Sequence, residues 1–300
     1  METAASRPVA GIMWMIVTGL LFVGVTAVVK YVGDDLPAAQ SAFLRYFLGL
    51  GFLIPMIRPI LAARLSRRQV WLFGGRGVAH TFAVMLWFFA MTQITIAEVT
   101  AMNYLNPVYV TIGAALFLGE RLALRRVFAV AAALVGAMII LRPGFRELSP
   151  GHIAMLAAAV FFGVSYLLAK LLSGEVSALV VVGMLSITVT IGLAPFAIAV
   201  WVTPTLAQIG WMFVVACLAT AGHYTMTLAF AAAPVTVTQP VTFLQLLWSV
   251  VLGALFFAEP VDFWVVIGGA VILGSVTFIT WREARLRRRQ TTPGVFETKV

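Results

Sequence analysis

The sequence predicts an all-α integral membrane protein whose ten transmembrane helices form two inverted five-helix repeats around a central cavity. Three observations carry that expectation. Of 300 residues, 62% are hydrophobic and 10% charged, against roughly 45–50% and about 25% in an ordinary soluble domain. Ten apolar segments can be marked, each at or near the ~20 residues needed to cross ~30 Å of hydrocarbon. The chain also echoes itself. Phe22-Val23-Gly24-Val25-Thr26 returns as Phe161-Phe162-Gly163-Val164-Ser165, and Leu116-Phe117-Leu118-Gly119-Glu120 as Leu255-Phe256-Phe257-Ala258-Glu259, both 139 positions apart.

The first segment, 9–29, begins soon after Arg7. It is longer than the 7–15-residue apolar core of a signal peptide and lacks a small-residue cleavage site, so it is expected to be a span. The others are 38–57, 70–91, 99–118, 127–141, 152–172, 179–201, 209–230, 235–257 and 263–281. Their connectors are short, and several carry turn residues: Gly33-Asp34-Asp35-Leu36-Pro37, Arg142-Pro143-Gly144, Ser149-Pro150-Gly151, Thr203-Pro204 and Glu259-Pro260. None could hold a soluble domain. The expected units are a first repeat at 9–141, a second at 150–281 and a basic tail at 282–300. The closing Glu297-Thr298-Lys299-Val300 is not a prenylation box. Cys217 is the one cysteine, in an apolar run, so it forms no internal disulfide and serves as a small packing residue.

Ten spans return the chain to the side on which it began. On that side fall Arg7; Arg58, Arg64, Arg67 and Arg68; Arg121, Arg125 and Arg126; Lys170; and Arg282, Arg285, Arg287, Arg288, Arg289 and Lys299. The opposite side receives Lys30, Arg142 and Arg146. Fifteen against three is the bias that keeps loops cytoplasmic, so both termini are expected inside. It also accounts for the net charge of +9 without nucleic acid, the tail acting as a stop-transfer anchor beside anionic lipid.

The echo extends to Trp71-Leu72-Phe73 with Trp211-Met212-Phe213 and to Pro55 with Pro195, at an offset of 139 or 140. An odd number of spans per copy turns the second copy over. Glu120 would then close span four inside and Glu259 span nine outside. Repeats of inverted topology typify secondary transporters.

Asn106-Pro107-Val108-Tyr109, with Leu118-Gly119-Glu120-Arg121 at the end of the same segment and a degenerate partner in the second half, resembles the drug/metabolite transporter superfamily, EamA-type. The resemblance covers roughly 9–281, and its overall pattern is similar to the YddG-like exporters of aromatic amino acids. It implies export of amino acids (aromatic or other neutral) and related small metabolites across the inner membrane by alternating access. The second half departs from the pattern. Pro240 lies nineteen residues before Glu259, whereas Pro107 lies thirteen before Glu120, and Glu259 is followed by Pro260, so spans four and nine need not bend at equivalent points.

Ionisable groups inside lipid cost about 2.5–3.5 kcal/mol each on insertion scales and face the bundle interior. Span three carries Arg76, His80 and Trp87 along one helical face. Its repeat partner carries Thr220, His223 and Thr227, with Tyr224 beside them. Span nine has a polar stripe of Thr238, Thr242, Gln245 and Ser249, accompanied by Trp248. Span four supplies Asn103 and Asn106 with Tyr104 and Tyr109, and span two supplies Ser41 and Arg45 one turn apart. The substrate-cavity candidates are therefore Arg76, His80, Trp87, Asn103, Tyr104 and Asn106 from the first half. His223, Tyr224, Thr238, Thr242, Gln245 and Trp248 are those of the second.

Each has a plainer alternative. Thr and Ser in membrane helices bond back to their own backbone, and Asn or Gln joins helices. His80 is either a protonatable or hydrogen-bonding group in the path or a satisfied interior histidine. Arg45 or Arg76 could hold a substrate carboxylate bidentately. Alternatively each snorkels or forms a structural pair, Arg45 with Glu98 and Arg76 with Glu120. Glu120 and Glu259 are read as helix-end groups. Rings within the spans can stack on a flat solute or fill the core, and Pro55, Pro107, Pro195, Pro234 and Pro240 mark kinks or hinges.

Other classes find little support. There is no His-Glu-x-x-His zinc site, no aspartate-rich prenyl diphosphate motif and no phosphate-cradling loop, so neither an enzyme nor a bound cofactor or metal is expected. Gly33-Asp34-Asp35 lies in a loop and has no second intramembrane aspartate. No charge ring or carbonyl filter points to a channel. The expected partners are a small-molecule substrate, the lipid bilayer and possible coupling protons, with no nucleic acid. Import or exchange of another metabolite, such as a nucleotide-like solute, and channel-like facilitation stay open.

Overall fold

The computed structural model describes residues 8–117, 124–145, 147–173, 175–233, 235–238 and 240–291. Among them the regular structure is helical: α1 (Pro8–Val32), α2 (Ala38–Gly49), α3 (Ile57–Ala62), α4 (Arg67–Gln93), α5 (Ile96–Asn103), α6 (Asn106–Phe117), α7 (Leu124–Leu141), α8 (Pro150–Ser173), α9 (Ala178–Ala199), α10 (Leu206–Ala232), α11 (Val235–Thr238), α12 (Phe243–Phe257) and α13 (Phe263–Thr291). Six of these, α1, α4, α8, α9, α10 and α13, contain a stretch long and apolar enough to cross a membrane. The motif Leu118-Gly119-Glu120-Arg121, with Pro234 and the end of the basic tail, lies outside the described residues.

Three apolar segments are broken rather than continuous. The second tightens into a 3-10 stretch at Leu50–Met56 after α2. The fourth is split into α5 and α6. Pro107 has no amide proton to give, and the backbone around it closes i to i−3 bonds instead, from Tyr104 N to Ala101 O at 3.2 Å and from Leu105 N to Met102 O at 3.0 Å. The ninth is split into α11 and α12 by a 3-10 turn at Pro240–Thr242. A break of this kind is tolerated inside a membrane protein where neighbouring helices re-satisfy the freed groups.

Helix starts carry their own caps. Ser66 and Gln69 form a reciprocal capping box at α4, and Thr205 with Gln208 forms the same box at α10, 139 residues later. Thr95 with Glu98 caps α5 in the same way.

In the bundle α4 packs along α8 and α1 along α10, while α2 lies on α9, α6 on α8 and α12 on α1. α7 and α13 cross at glycines, where a Cβ on Gly268 would stand 2.5 Å from the carbonyl oxygen of Gly136. Phe88, Met91, Ile96, Met102, Leu105, Met155 and Leu193 are sealed in the core, whereas Ile191, Ile198, Leu255 and Phe256 point outward. Apolar side chains thus cover the outside as well as the core, as a lipid-facing bundle requires.

One end of the bundle is tied by ion pairs. Lys30 Nζ lies 2.6 Å from Glu259 Oε1 and donates to the Ile94 carbonyl at 2.7 Å, while the Ile96 amide donates to Glu259 Oε2 at 3.0 Å. His152 Nε2 meets Glu98 Oε1 at 3.2 Å, both side chains being buried, and Arg142 pairs with Asp262. The expected partnership of Arg45 with Glu98 is therefore replaced by Glu98 with His152. At the opposite end Arg68 pairs with Glu175, which also accepts from Gln69 Nε2 at 3.1 Å. Hydrogen bonds from Arg68 and then Gln69 hold the Glu175 carboxyl below its ordinary value. The contribution of that contact is present above the unfolded carboxyl value and is lost as pH falls through the lowered folded one.

α12 ends on Ala258 in the left-handed region, φ 51°, with the Glu259 amide reaching back to the Gly253 carbonyl at 3.1 Å. An L-residue there is strained by roughly 1–2 kcal/mol, and the matching position in the first half of the sequence is Gly119. Ala258→Gly is therefore expected to raise the thermal unfolding midpoint of the detergent-purified protein by a few degrees, measured against wild type.

Candidate functional site

A cavity of about 270 Å³ lies in the middle of the bundle, walled by α1, α2, α4, α5, α6, α8, α10 and α12 and the turn before α12. A second hollow, about 440 Å³, is an open groove between α7 and α13 on the outer surface, lined by Phe128, Val271 and Phe278 with Arg125 at its edge. The central cavity holds the concentration of polar and aromatic groups, which is what a binding site needs.

Helical spacing places its walls. From α1 come Thr18, Phe22 and Thr26, each one turn apart. Thr18 and Thr26 bond back to the Trp14 and Phe22 carbonyls at 2.8 and 3.3 Å, and Thr18 also meets Thr225 at 2.9 Å. From α4 come His80, Val84 and Trp87, and from α10 Ala219, His223 and Met226. Those two triplets are matching positions, 139 residues apart. So are Asn103 with Thr242 and Asn106 with Gln245, all of which line the same space.

His80 is the best-anchored polar group. Its Nδ1 lies 3.0 Å from Ser165 Oγ and its Nε2 3.0 Å from Tyr46 Oη, so both ring nitrogens are engaged and α2, α4 and α8 meet through one imidazole. A neutral ring satisfies this arrangement by donating at one nitrogen and accepting at the other. Around it is an aromatic wall. Phe162 stands edge-on to His80 at 5.1 Å and to Trp87 at 6.0 Å, and stacks on Tyr166 at 6.0 Å. On the far side Phe22 stands edge-on to His223 at 5.2 Å. Arg45 lies over the Tyr46 ring, 4.0 Å from guanidinium carbon to centroid.

The span-four break shapes the floor. Tyr104 donates its hydroxyl to the Thr242 carbonyl at 2.7 Å, joining the end of α5 to the turn before α12. Asn106 Nδ2 donates to Asn103 Oδ1 at 2.7 Å across the Pro107 break. Among the described lining residues Arg45 is the one guanidinium, and there is no aspartate or glutamate. Among the described residues no cluster of His, Cys, Asp or Glu could hold a metal. The arrangement can receive a flat ring and compensate negative charge.

Of the candidates read from sequence, His80, Trp87, Asn103, Tyr104, Asn106, His223, Thr242 and Gln245 line the cavity. Arg76, Tyr224, Thr238 and Trp248 do not. Arg76 sits one turn before His80, buried, with Nη1 donating to the Val181 carbonyl at 2.9 Å. Tyr224 is 66% exposed on the outward side of α10, and Trp248 is 38% exposed on α12. Thr238 is fully buried in α11. The span-nine stripe assumed one continuous helix, but the turn at Pro240–Thr242 resets the register between Thr238 and Thr242. Ser249, the last member of the stripe, instead bonds Thr100 at 2.7 Å and the Gln245 carbonyl at 2.8 Å.

Sequence reasoning left Arg45 between a substrate contact and snorkelling or pairing, and passed over Tyr46, Phe162 and Tyr166. The repeat could not have found Phe162 and Tyr166, because at the 139-residue offset of that segment they match Val23 and Ala27, which do not line the cavity.

The model of the EamA-like transporter family matches this chain twice, over residues 9–142 and 149–281. The chain belongs to that family and is a multi-pass membrane protein. It is 30% identical over 287 residues to a riboflavin transporter of Rhizobium johnstonii, covering 95% of each chain. It is 22% identical over 290 residues to an S-adenosylmethionine uptake transporter of Rickettsia conorii, covering 97% of this chain and 99% of that one. Neither relative is described as an amino acid exporter. A solved crystal structure superposes with a TM-score of 0.58 at 20% identity, covering 94% of this chain and 99% of that chain, a likeness of fold.

Because His80 closes a bridge between two hydroxyls at the cavity wall, His80→Ala leaves Tyr46 and Ser165 without that partner. Transport in proteoliposomes is expected to fall about tenfold or more at equal protein incorporation, and wild-type rates at wild-type protein levels would count against a role for this bridge.

Proposed function

We propose that this chain is a secondary transporter of the inner membrane that carries flat heteroaromatic metabolites, neutral or anionic, of which riboflavin is the model. The observation that carries the reading is the wall of the cavity: stacked and edge-on rings, one arginine and, among the described lining residues, no carboxylate. Rings stack on aromatic walls. A fixed guanidinium in a low-dielectric site repels a cation and attracts an anion. That charge pattern favours a riboflavin-like solute over S-adenosylmethionine, whose sulfonium would lie beside Arg45 without compensation. A free amino acid could place its carboxylate at Arg45, but its ammonium would find no carboxylate in that wall, so amino acid export is the weaker reading.

The mechanism is alternating access by two inverted five-span halves. Its support is threefold: the matching cavity positions on α4 and α10 and on the segments after them, the twin capping boxes 139 residues apart, and the packing of α1 on α10 beside that of α4 on α8, which exchanges the roles of the two halves. The excess of basic residues on one side supports a cytoplasmic position for both termini. Lys30–Glu259, Glu98–His152 and Arg142–Asp262 then close the outer end, and opening to that side requires them to part.

Counterflow in proteoliposomes with labelled riboflavin, tryptophan and S-adenosylmethionine, with and without an imposed pH gradient, tests the reading. Saturable exchange of riboflavin, exceeding that of the other two, is expected. Exchange of tryptophan alone would restore the amino acid reading, and non-saturating flux would replace the carrier with a channel.

A further inference from the structure

A polar atom enclosed between membrane helices without a partner calls for an explanation, because burial removes its water and nothing replaces it. Among the described residues, two such atoms belong to side chains that line the cavity: the indole Nε1 of Trp87 and the amide Oδ1 of Asn106. Other enclosed atoms in this condition, such as Arg76 Nε and Thr81 Oγ1, belong to residues outside the cavity wall. Both groups are held firmly by their remaining contacts. The Trp87 ring stands edge-on to Phe88 and to Phe162, each at 6.0 Å. Asn106 spends its amide nitrogen on Asn103, which leaves the oxygen as the open end. An indole N–H can only donate and an amide oxygen can only accept.

Their place in the repeat sharpens the point. The positions matching Trp87 and Asn106 are Met226 and Gln245, which also line the cavity. A scaffold that needed these groups for packing would be expected to carry them in both halves. The indole occurs in one half only, standing against Phe162 of the aromatic wall, whereas the amide of Asn106 returns one methylene longer as Gln245.

We infer that Trp87 and Asn106 form a donor–acceptor pair that reads the polar edge of the transported ring. The ligand is a planar heterocycle that presents a carbonyl oxygen to the Trp87 N–H and a ring N–H to the Asn106 oxygen, as an imide or lactam edge does. Stacking on the aromatic wall selects for flatness, and this pair selects for the edge. The inference rests on the reading of the chain as a carrier of flat heteroaromatic solutes and adds the edge chemistry which that reading leaves open.

The test is equilibrium binding to detergent-purified protein, followed by flavin fluorescence, with riboflavin and its analogue methylated at the imide nitrogen as probes. Wild type is expected to prefer riboflavin about tenfold, the usual order for a buried acceptor deprived of its donor. Asn106→Leu should lose that preference and bind both probes as weakly as wild type binds the methylated one. Trp87→Phe should weaken both about tenfold and keep the preference. Trp87→Phe should not unfold at a lower temperature than wild type, and Asn106→Leu, which also removes the bond to Asn103, should unfold no lower than Asn103→Leu, which removes that bond alone, so a fall in affinity beyond these changes in stability separates recognition from folding. Wild-type affinity for riboflavin in both variants, or no discrimination by wild type, overturns the pair. If riboflavin does not bind but radiolabelled tryptophan or S-adenosylmethionine does, the functional reading and the pair both fall, since neither presents a ring carbonyl beside a ring N–H; riboflavin binding without discrimination between the two flavins overturns the pair alone. Binding of none of the three overturns both.

Discussion

A polar group between membrane helices has no water to fall back on, so it must be satisfied inside the protein or open into a cavity. That constraint orders the whole molecule. Hydroxyls on single helices turn back to their own backbone, as Thr190 does to Ser186, Ser275 to Val271 and Thr280 to Val276. Longer polar side chains bind helix to connector or to neighbouring helix. Gln40, fully buried, both donates to and accepts from the backbone of Val202. Lys30, Glu98, His152 and Glu259 gather at one end and answer one another. What remains is collected around the central cavity, and the exterior is left to aliphatic and aromatic side chains.

The broken helices follow from the same rule. A proline inside a span removes a donor, and the break is stable only where other groups meet the freed carbonyls. The breaks at Pro107 and Pro240 both face the cavity region, where Tyr104 bonds the Thr242 carbonyl and Asn106 bonds Asn103. The interruptions that weaken α5–α6 and α11–α12 as helices therefore supply the floor of the site.

Composition and apolar segment lengths made the helical membrane class legible, because the energetic cost of exposing such a surface to water is large and independent of detail. The face of α4 was legible too, since His80 and Trp87 lie on a continuous helix where spacing translates directly into direction. Register across a break was not. Thr238 was read onto the same stripe as Thr242, Gln245 and Ser249, and the 3-10 turn separates it from them. Tyr224 and Trp248 were chosen because aromatic groups lay within spans, but composition does not say which face a ring occupies, and both turn outward. Arg45 was left between a substrate contact and a pair with Glu98 for a different reason. Glu98 meets His152, a contact between segments 54 residues apart that no local pattern announces.

Symmetry and its breaks have separate jobs in this account. Matching residues of the two halves build the walls, and Trp87, His80 and Arg45, whose matching positions are Met226, Ala219 and Met184, give the cavity its chemical character. The most direct measurement is ligand protection of a cavity cysteine. With Cys217 replaced by Ala, single cysteines are placed at Gln245 in the wall and at Tyr224 on the outward face of α10, and maleimide labelling is timed with and without riboflavin. Riboflavin is expected to slow labelling at position 245 and to leave position 224 unchanged. Equal rates with and without riboflavin at both positions, under conditions where transport is saturated, would contradict it.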